Sequence, residues 1–303
     1  MLAAMRVLIV GCGYVGFPLG AELARLGHEV FGLRRSAEGA AGLAAAGVTP
    51  LTGDITNPAA LARLPGPFDW VVDAVSSSRG DAEAYRRVFL DGTRHLLDAL
   101  ADAPPRKFVF TSSTSVYAQS DGSTVDESAA TEPTSETGRV LVQAEQMVMQ
   151  AWRVRKFPAV VLRLAGIYGP GRGHLFKQFL SGEARIEGDG ARFINMVHVE
   201  DAAGAVMTAL ERAQPGGVYN VADDAPVSER AFFEWIAGEL GRAMPPAAAE
   251  AGRVPRKRAV THKRVSNAKL KSAGWRLKFP TFREGYAREI GTHRDTESRQ
   301  PIR

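Results

Sequence analysis

Two groups of residues in this 303-residue chain have types and spacings that could do chemistry. The first is Gly11-Cys12-Gly13-Tyr14-Val15-Gly16, which follows the run Val7-Leu8-Ile9-Val10 without a break. Glycines so spaced are a weak signal alone, but between a strand and a helix they mark a site for a dinucleotide diphosphate. Gly11 permits the tight turn, Gly13 lets the backbone approach the pyrophosphate, and Gly16 allows close helix–strand contact. The phosphates then sit at the helix start, Tyr14 and Val15 included, where free amides and the dipole favour anions. The second group is Arg34-Arg35-Ser36. An NAD site presents Asp or Glu about 20 residues beyond the glycines to bind the ribose 2′-OH. Arginine there fits a 2′-phosphate bidentately, so the pattern predicts NADP, with NAD as the alternative. Cys12, inside the turn with no readable base nearby, reads as a small hydrophobe rather than a nucleophile.

These residues need elements to hold them. Short apolar runs alternate with helical patterns: strands over Met5–Val10, Glu29–Leu33, Val48–Thr52, Asp69–Val75, Lys107–Thr111 and Ala159–Leu164. Helices fall between them over Val15–Leu26, Ala37–Ala46, Ala59–Leu64, Ala82–Leu100 and Gly138–Val154. Such alternation implies βαβ units and an α/β, Rossmann-type doubly wound parallel sheet. Beyond Leu164 the pattern loosens through the glycine-rich stretch 166–173, and a smaller C-terminal α/β substrate domain is expected. The predicted division is 1–165 for the dinucleotide-binding domain and 166–303 for the substrate domain, with part of 193–222 returning to the sheet. In that second half Glu200–Arg212 and Glu229–Leu240 read as helices, Gly217–Val221 as a strand and Ala243–Ala251 as a linker.

Composition narrows the class. One cysteine forms no internal disulfide, and no Cys/His cluster has zinc spacing, so no metal is expected. No apolar run nears the ~20 residues of a membrane span, and the N-terminus lacks a signal-peptide pattern. A cytoplasmic globular protein is the expectation. The net charge of +5 conceals ten Lys/Arg and no Asp or Glu between Arg253 and Lys278. That run is either a solvated face or a sign of a phosphorylated or nucleotide-linked substrate. Nucleic acid is not the expected partner, since only Trp275 and Phe279 interleave with the charges.

Further motifs resemble the extended branch of the short-chain dehydrogenase/reductase superfamily, the nucleotide-sugar epimerases and dehydratases. They are Gly53-Asp54-Ile55, Asp73-Ala74-Val75-Ser76, the segment 110–117 ending Ser112-Ser113-Thr114-Ser115-Val116-Tyr117, the sixth-strand exit 162–171, Val197-His198-Val199-Glu200-Asp201, and 270–275. The resemblance implies that Asp54, beside Ile55, touches the adenine ring and that Ala74, Val75 and Ser76 lie under the cofactor. It maps the family's catalytic hydroxyl onto Ser113 and implies a homodimer through the helices near 82–100 and 138–154. The family also uses Tyr-x-x-x-Lys, in which the cation lowers the phenol's pKa so that it can exchange a proton with the substrate. Thr137 and Leu141 stand at those two positions, and no tyrosine of the chain has Lys four residues later. Arg139 lies about 200° round the helix from Thr137 and points away.

The chain therefore resembles an atypical subgroup without that pair. Tyr117, four residues beyond Ser113, reads either as a substitute acid or as packing. His174 reads as a surface histidine or one facing the cleft, His198 as a satisfied buried histidine, and Arg163 as buried and paired. The predicted function is an NADP-binding oxidoreductase-like protein acting on a small carbonyl or hydroxyl substrate. The alternative is a cofactor sensor that catalyses nothing.

Overall fold

A computed structural model describes residues 3–77, 81–248 and 261–298, with side chains through 291. The end of the predicted linker and residues 253–260 of the basic run lie outside the described residues. Seven strands form the central sheet: β1 (Arg6–Val10), β2 (Glu29–Arg34), β3 (Val48–Thr52), β4 (Trp70–Asp73), β5 (Lys107–Ser113), β6 (Ala159–Leu164) and β7 (Val218–Val221). All pair in parallel, in the spatial order β3-β2-β1-β4-β5-β6-β7. Val7 to Val10 are at most 1% exposed, because helices cover both faces and uninterrupted apolar runs can be buried.

Helix α1 (Gly16–Arg25) follows β1 and buries Leu19, Gly20 and Leu23, one stripe at helical spacing. The predicted helix over Ala82–Leu100 is continuous, but residues Arg86–Gly92 form a π turn between α segments Ala82–Tyr85 and Thr93–Ala99. A methyl on Gly92 would lie 2.7 Å from Ile55, so the close approach at this turn requires glycine. Helix α2 (Glu136–Arg155) starts two residues before the predicted bound, where Ser135 accepts a hydrogen bond from the Gly138 amide at 3.2 Å. Its inner face places Leu141, Ala144 and Val148 in the main core.

After β6 the chain leaves the sheet. Gly166–Tyr168 pairs in parallel with Met196–His198, and helix α3 (Val199–Arg212) then packs beside α1 against the sheet and leads to β7. Here two motifs of the second half meet. Asp201 accepts the amides of Lys278 (2.6 Å) and Phe279 (3.0 Å), while its carbonyl accepts from the buried Trp275 indole at 3.2 Å. A separate apolar cluster joins Phe179, α4 (Glu229–Leu240) through Phe232 and Ile236, and α5 (Phe282–Ser298) through Phe282 and Tyr286. Helix α5 is absent from the sequence reading, although Phe282, Tyr286 and Ile290 repeat every four residues. Its high polarity elsewhere masks that stripe. No helix among the described residues is long and apolar enough to cross a membrane.

Candidate active site

The C-terminal ends of β1, β2, β4, β5 and β6 open into one cleft of about 750 Å³. In an open parallel sheet this end is the expected ligand crevice, since the order reverses between β1 and β4. The glycine turn forms one wall, and each glycine has its own steric reason. Gly11 sits at φ +82°, and a methyl there would lie 2.7 Å from the Ala74 carbonyl oxygen. A methyl on Gly16 would lie 2.9 Å from both Ile9 Cγ2 and the Gly11 carbonyl oxygen. At Gly13 the nearest atom would be 3.9 Å away, so its missing side chain leaves room on the cleft side rather than relieving a clash. That room, beside the start of α1 where no side chain caps the helix, suits a pyrophosphate. Tyr14 closes the turn outward, its hydroxyl donating to Pro170 at 3.2 Å beneath the Arg172 guanidinium. The Cys12 thiol is fully buried against Gly32, and burial pushes its pKa up to about 11, which suits packing and not nucleophilic work.

Arg34, Arg35 and Ser36 line the cleft at the end of β2, opposite Gly53, Asp54 and Ile55. Asp54 is the only acid lining the cleft among the described residues, and one of its oxygens accepts from the Thr56 amide (2.9 Å) and hydroxyl (2.8 Å). Ala74, Val75 and Ser76 form the floor. They are held from below by buried Asp73, whose carboxylate accepts from Thr93 at 3.0 Å and from the Val75 amide at 3.4 Å. Burial pushes Asp73 up to about 7 against the pull of those two donors.

At the far end stand Ser113, Thr137 and Leu141. Ser113 ends β5, two residues beyond the predicted bound, and its oxygen accepts the Ser115 amide at 3.2 Å. Its hydroxyl hydrogen remains available to a ligand. Thr137 and Leu141, one turn apart on α2, both face the cleft, whereas Arg139 is exposed and donates to the Thr134 carbonyl at 2.8 Å. Tyr117 does not line the cleft. It is fully buried, and its hydroxyl donates to Asn220 (2.8 Å) and accepts from Arg163 (2.8 Å). Burial holds its pKa above the usual phenol value despite the Arg163 charge. Of its two sequence readings, the geometry matches packing.

Arg163 is buried and paired, as its position in an apolar strand predicts. It grips Glu145 from Nε (3.1 Å) and Nη2 (2.7 Å), and Ser112 donates to the same carboxylate at 2.6 Å. Ser112, Tyr117, Glu145, Arg163 and Asn220 thus form a connected polar knot that starts at the residue before Ser113, and Asn220 links it onward to Glu127 and the Ser266 carbonyl. His174 is exposed at the start of a short helix and stays outside the cleft. His198 is buried and caps α3, accepting the Glu200 amide at Nδ1 (3.3 Å), but its Nε2 has no partner. It is thus half satisfied rather than satisfied. Burial pushes its pKa down to about 4.

Among the polar residues of this cleft that sequence reasoning missed are Arg172, Arg192, Asn195 and Lys263. Arg192 is turned partly away, donating to buried Glu229 at 2.8 Å. Asn195 clamps the strand Arg264–Val265 by accepting the Val265 amide (2.7 Å) and donating to the Lys263 carbonyl (2.9 Å). Lys263 is only 3% exposed, with Nζ donating to the Tyr117 carbonyl (3.1 Å) and Thr261 Oγ1 (2.7 Å). Burial pulls its pKa down to about 8. The signal was hidden because the residue sits in a basic run that reads as a solvated face.

The fold and this cleft define a Rossmann-type protein with a dinucleotide site at the strand ends. Residues 7–222 match the model of the NAD dependent epimerase/dehydratase family. Protein YeeZ of Escherichia coli (strain K12) is 32% identical over 249 residues, covering 78% of this chain and 84% of that protein. A 3-diazoavenalumate denitrifying reductase of Streptomyces sp is 29% identical over 324 residues, covering 94% of this chain and all of the relative. The dTDP-glucose 4,6-dehydratase DesIV from Streptomyces venezuelae, solved with NAD and TYD bound, superimposes with a TM-score of 0.83 over 97% of this chain and 98% of its own. At 20% identity that likeness speaks for fold alone. The chain belongs to the NAD-dependent epimerase/dehydratase family.

Proposed function

We propose that the protein is an NADP-preferring oxidoreductase whose small carbonyl or hydroxyl substrate enters the cleft beside Ser113. The observation that carries the reading is the end of β2, where Arg34, Arg35 and Ser36 line the cleft in the place of a carboxylate. Two guanidiniums there attract a 2′-phosphate and leave a bare 2′-OH without its usual acceptor. Gly11, Gly13 and Gly16 with the start of α1 would hold the pyrophosphate, Asp54 the adenine, and Ala74 to Ser76 the middle of the dinucleotide. When bound, the dinucleotide supplies or accepts the hydride. Ser113 supplies a hydroxyl donor that orients the substrate oxygen. Arg192, whose Nε has no partner although its Nη2 is paired with Glu229, lines the cleft and favours an anionic group on the substrate, such as a phosphate, while Arg172 lies over Tyr14 at the glycine turn. The name of the Streptomyces relative, a reductase, supports a reductive direction.

A cofactor sensor is the second reading, favoured by the apolar Leu141 where the family's lysine would stand. Both readings require dinucleotide binding. Titration calorimetry with NADPH and NADH tests them together, and NADPH is expected to bind about tenfold or more tightly, the worth of one charge-assisted contact. Arg34→Ala with Arg35→Ala should erase that difference while leaving NADH affinity nearly unchanged. Equal affinity for the two cofactors in the unmodified protein overturns the NADP preference, and turnover of carbonyl probes with NADPH overturns the sensor.

A further inference from the structure

We propose that Lys263 is the proton-transfer residue at the reacting substrate oxygen, delivered to the cleft from the C-terminal half in place of a cation on α2. The inference rests on the dinucleotide-dependent reading above and names the residue that completes its chemistry.

An ammonium taken out of water costs several kcal/mol unless it is paired. Two ion pairs hold buried charge here, Arg163 with Glu145 and Arg192 with Glu229, while the buried carboxylates Asp73, Asp201 and Asp223 accept backbone amides or a hydroxyl instead. Lys263 is as buried as Arg163, yet no carboxylate among the described residues lies within ion-pair distance of its Nζ. Its hydrogen-bond acceptors are a carbonyl and a hydroxyl, Tyr117 and Thr261, which leaves one N–H for the cleft. The neighbouring polar groups are occupied elsewhere. Arg264 donates to the Gly122 carbonyl and lies over the Phe193 ring, and His262 accepts the Phe193 amide at Nδ1. The Tyr117 hydroxyl faces Arg163 and Asn220.

The lysine is also held in place. Asn195 clamps its backbone, and Arg264–Val265 pairs in parallel with Thr124–Val125. Nζ reaches the carbonyl four residues beyond Ser113, so the lysine and Ser113 border the same space. A pKa near 8 leaves Lys263 protonated at neutral pH yet close to the value that best suits a proton donor. Thr137, a far weaker acid than a phenol, cannot fill that role, and Leu141 has no proton to give.

The step balances. As the carbonyl carbon gains a hydride from the reduced nicotinamide dinucleotide, its oxygen becomes basic. An N–H bond of Lys263 breaks as the O–H bond forms, leaving a neutral amine and a hydroxyl product. Solvent entering the cleft restores the proton.

The full-length protein treated with propionaldehyde and cyanoborohydride at about pH 8 tests this, with peptide mass mapping as the readout. Lys263 should be alkylated on the order of tenfold or more faster than exposed lysines such as Lys156 and Lys177. Saturating NADP should suppress that labelling. Labelling of Lys263 no faster than that of surface lysines, or unaffected by bound NADP, overturns the assignment. A failed dinucleotide titration instead overturns the proposed function. Lys263→Met should lower carbonyl turnover by about 100-fold or more with dinucleotide affinity unchanged. Lys263→Arg keeps the charge but holds its proton too tightly to transfer it, so a comparable loss is expected. Near-normal turnover in Lys263→Arg overturns proton transfer.

Discussion

The polar knot next to Ser113 makes a quantitative prediction about Arg163→Met. Arg163 donates to both oxygens of Glu145 and to the Tyr117 hydroxyl, and both ionic side chains are less than 10% exposed. Removing the guanidinium leaves the carboxylate with the Ser112 hydroxyl as its remaining donor from the knot. Breaking a buried pair from one side costs about 3–5 kcal/mol, because the stranded charge remains unsolvated. At about 2–4 °C per kcal/mol for a chain somewhat smaller than this one, the melting temperature should fall on the order of 10 °C. The control is Glu145→Leu with Arg163→Met. Replacing both charges by apolar groups removes the stranded ion, and the remaining loss should be only the about 1–3 kcal/mol of leaving the Ser112 and Tyr117 hydroxyls short of partners. Differential scanning calorimetry of the wild type, both single variants and the double variant closes the cycle. Glu145→Leu strands the guanidinium at a like cost, so coupling of at least about 3 kcal/mol is expected. The reasoning fails if Arg163→Met melts within about 2 °C of wild type, or if the double variant loses the sum of the two single losses. Ser112 and Tyr117 bracket Ser113 in the chain, so the same variant should also lower turnover by loosening that hydroxyl.

The glycine turn and the buried histidine yield predictions of other kinds. Gly13→Ala should melt as the wild type does but lose dinucleotide affinity, because its methyl meets empty space that only a ligand would fill. Gly16→Ala should lose about 1–3 kcal/mol of stability as well, since its methyl collides with Ile9 and the Gly11 carbonyl. Identical melting of the two variants would contradict that division of roles. The pKa of His198 is depressed to about 4 from an ordinary 6.5, so between those values the unfolded chain binds more protons than the folded one. Stability should therefore rise with pH from about 4 to about 6.5 and then level, the full effect being on the order of 3 kcal/mol. In chemical denaturation across that range, His198→Asn should keep the α3 cap and flatten this part of the profile. An unchanged slope in the variant refutes the assignment.

Much of the fold could be read in advance because its signals are local. β1, β4, β5 and β6 each contain three or more consecutive apolar residues, so each strand is visible in a window of a few residues. What the window misses is where an element ends when a tertiary partner decides it. β5 runs on to Ser113 because β6 pairs with it up to Leu164. β4 stops at Asp73 rather than Val75, because its carboxylate bends the chain back by accepting the Val75 amide. The pairing of Gly166–Tyr168 with Met196–His198 joins segments some 30 residues apart and leaves no periodic trace in either.

The site divides along the same line. Its cofactor half is built from loops that directly follow strands, so Gly11, Arg34, Asp54 and Ala74 announce themselves by position after an apolar run. Its proposed catalytic half is assembled across the chain. Thr137 and Leu141 were legible as an anomaly on one helix, but the group that answers the anomaly stands at position 263, reached through a two-residue strand pairing with Thr124–Val125 and an asparagine clamp from residue 195. In sequence Lys263 is one of ten basic residues between Arg253 and Lys278. Only its three-dimensional setting, buried and without a carboxylate while Lys271 and Lys278 have theirs, separates it from the other described members of the run. A missing motif in a family member therefore does not by itself argue for lost catalysis. Proton transfer needs a titratable group of suitable pKa beside the reacting oxygen, and a fold with two contributing halves can supply that group from either.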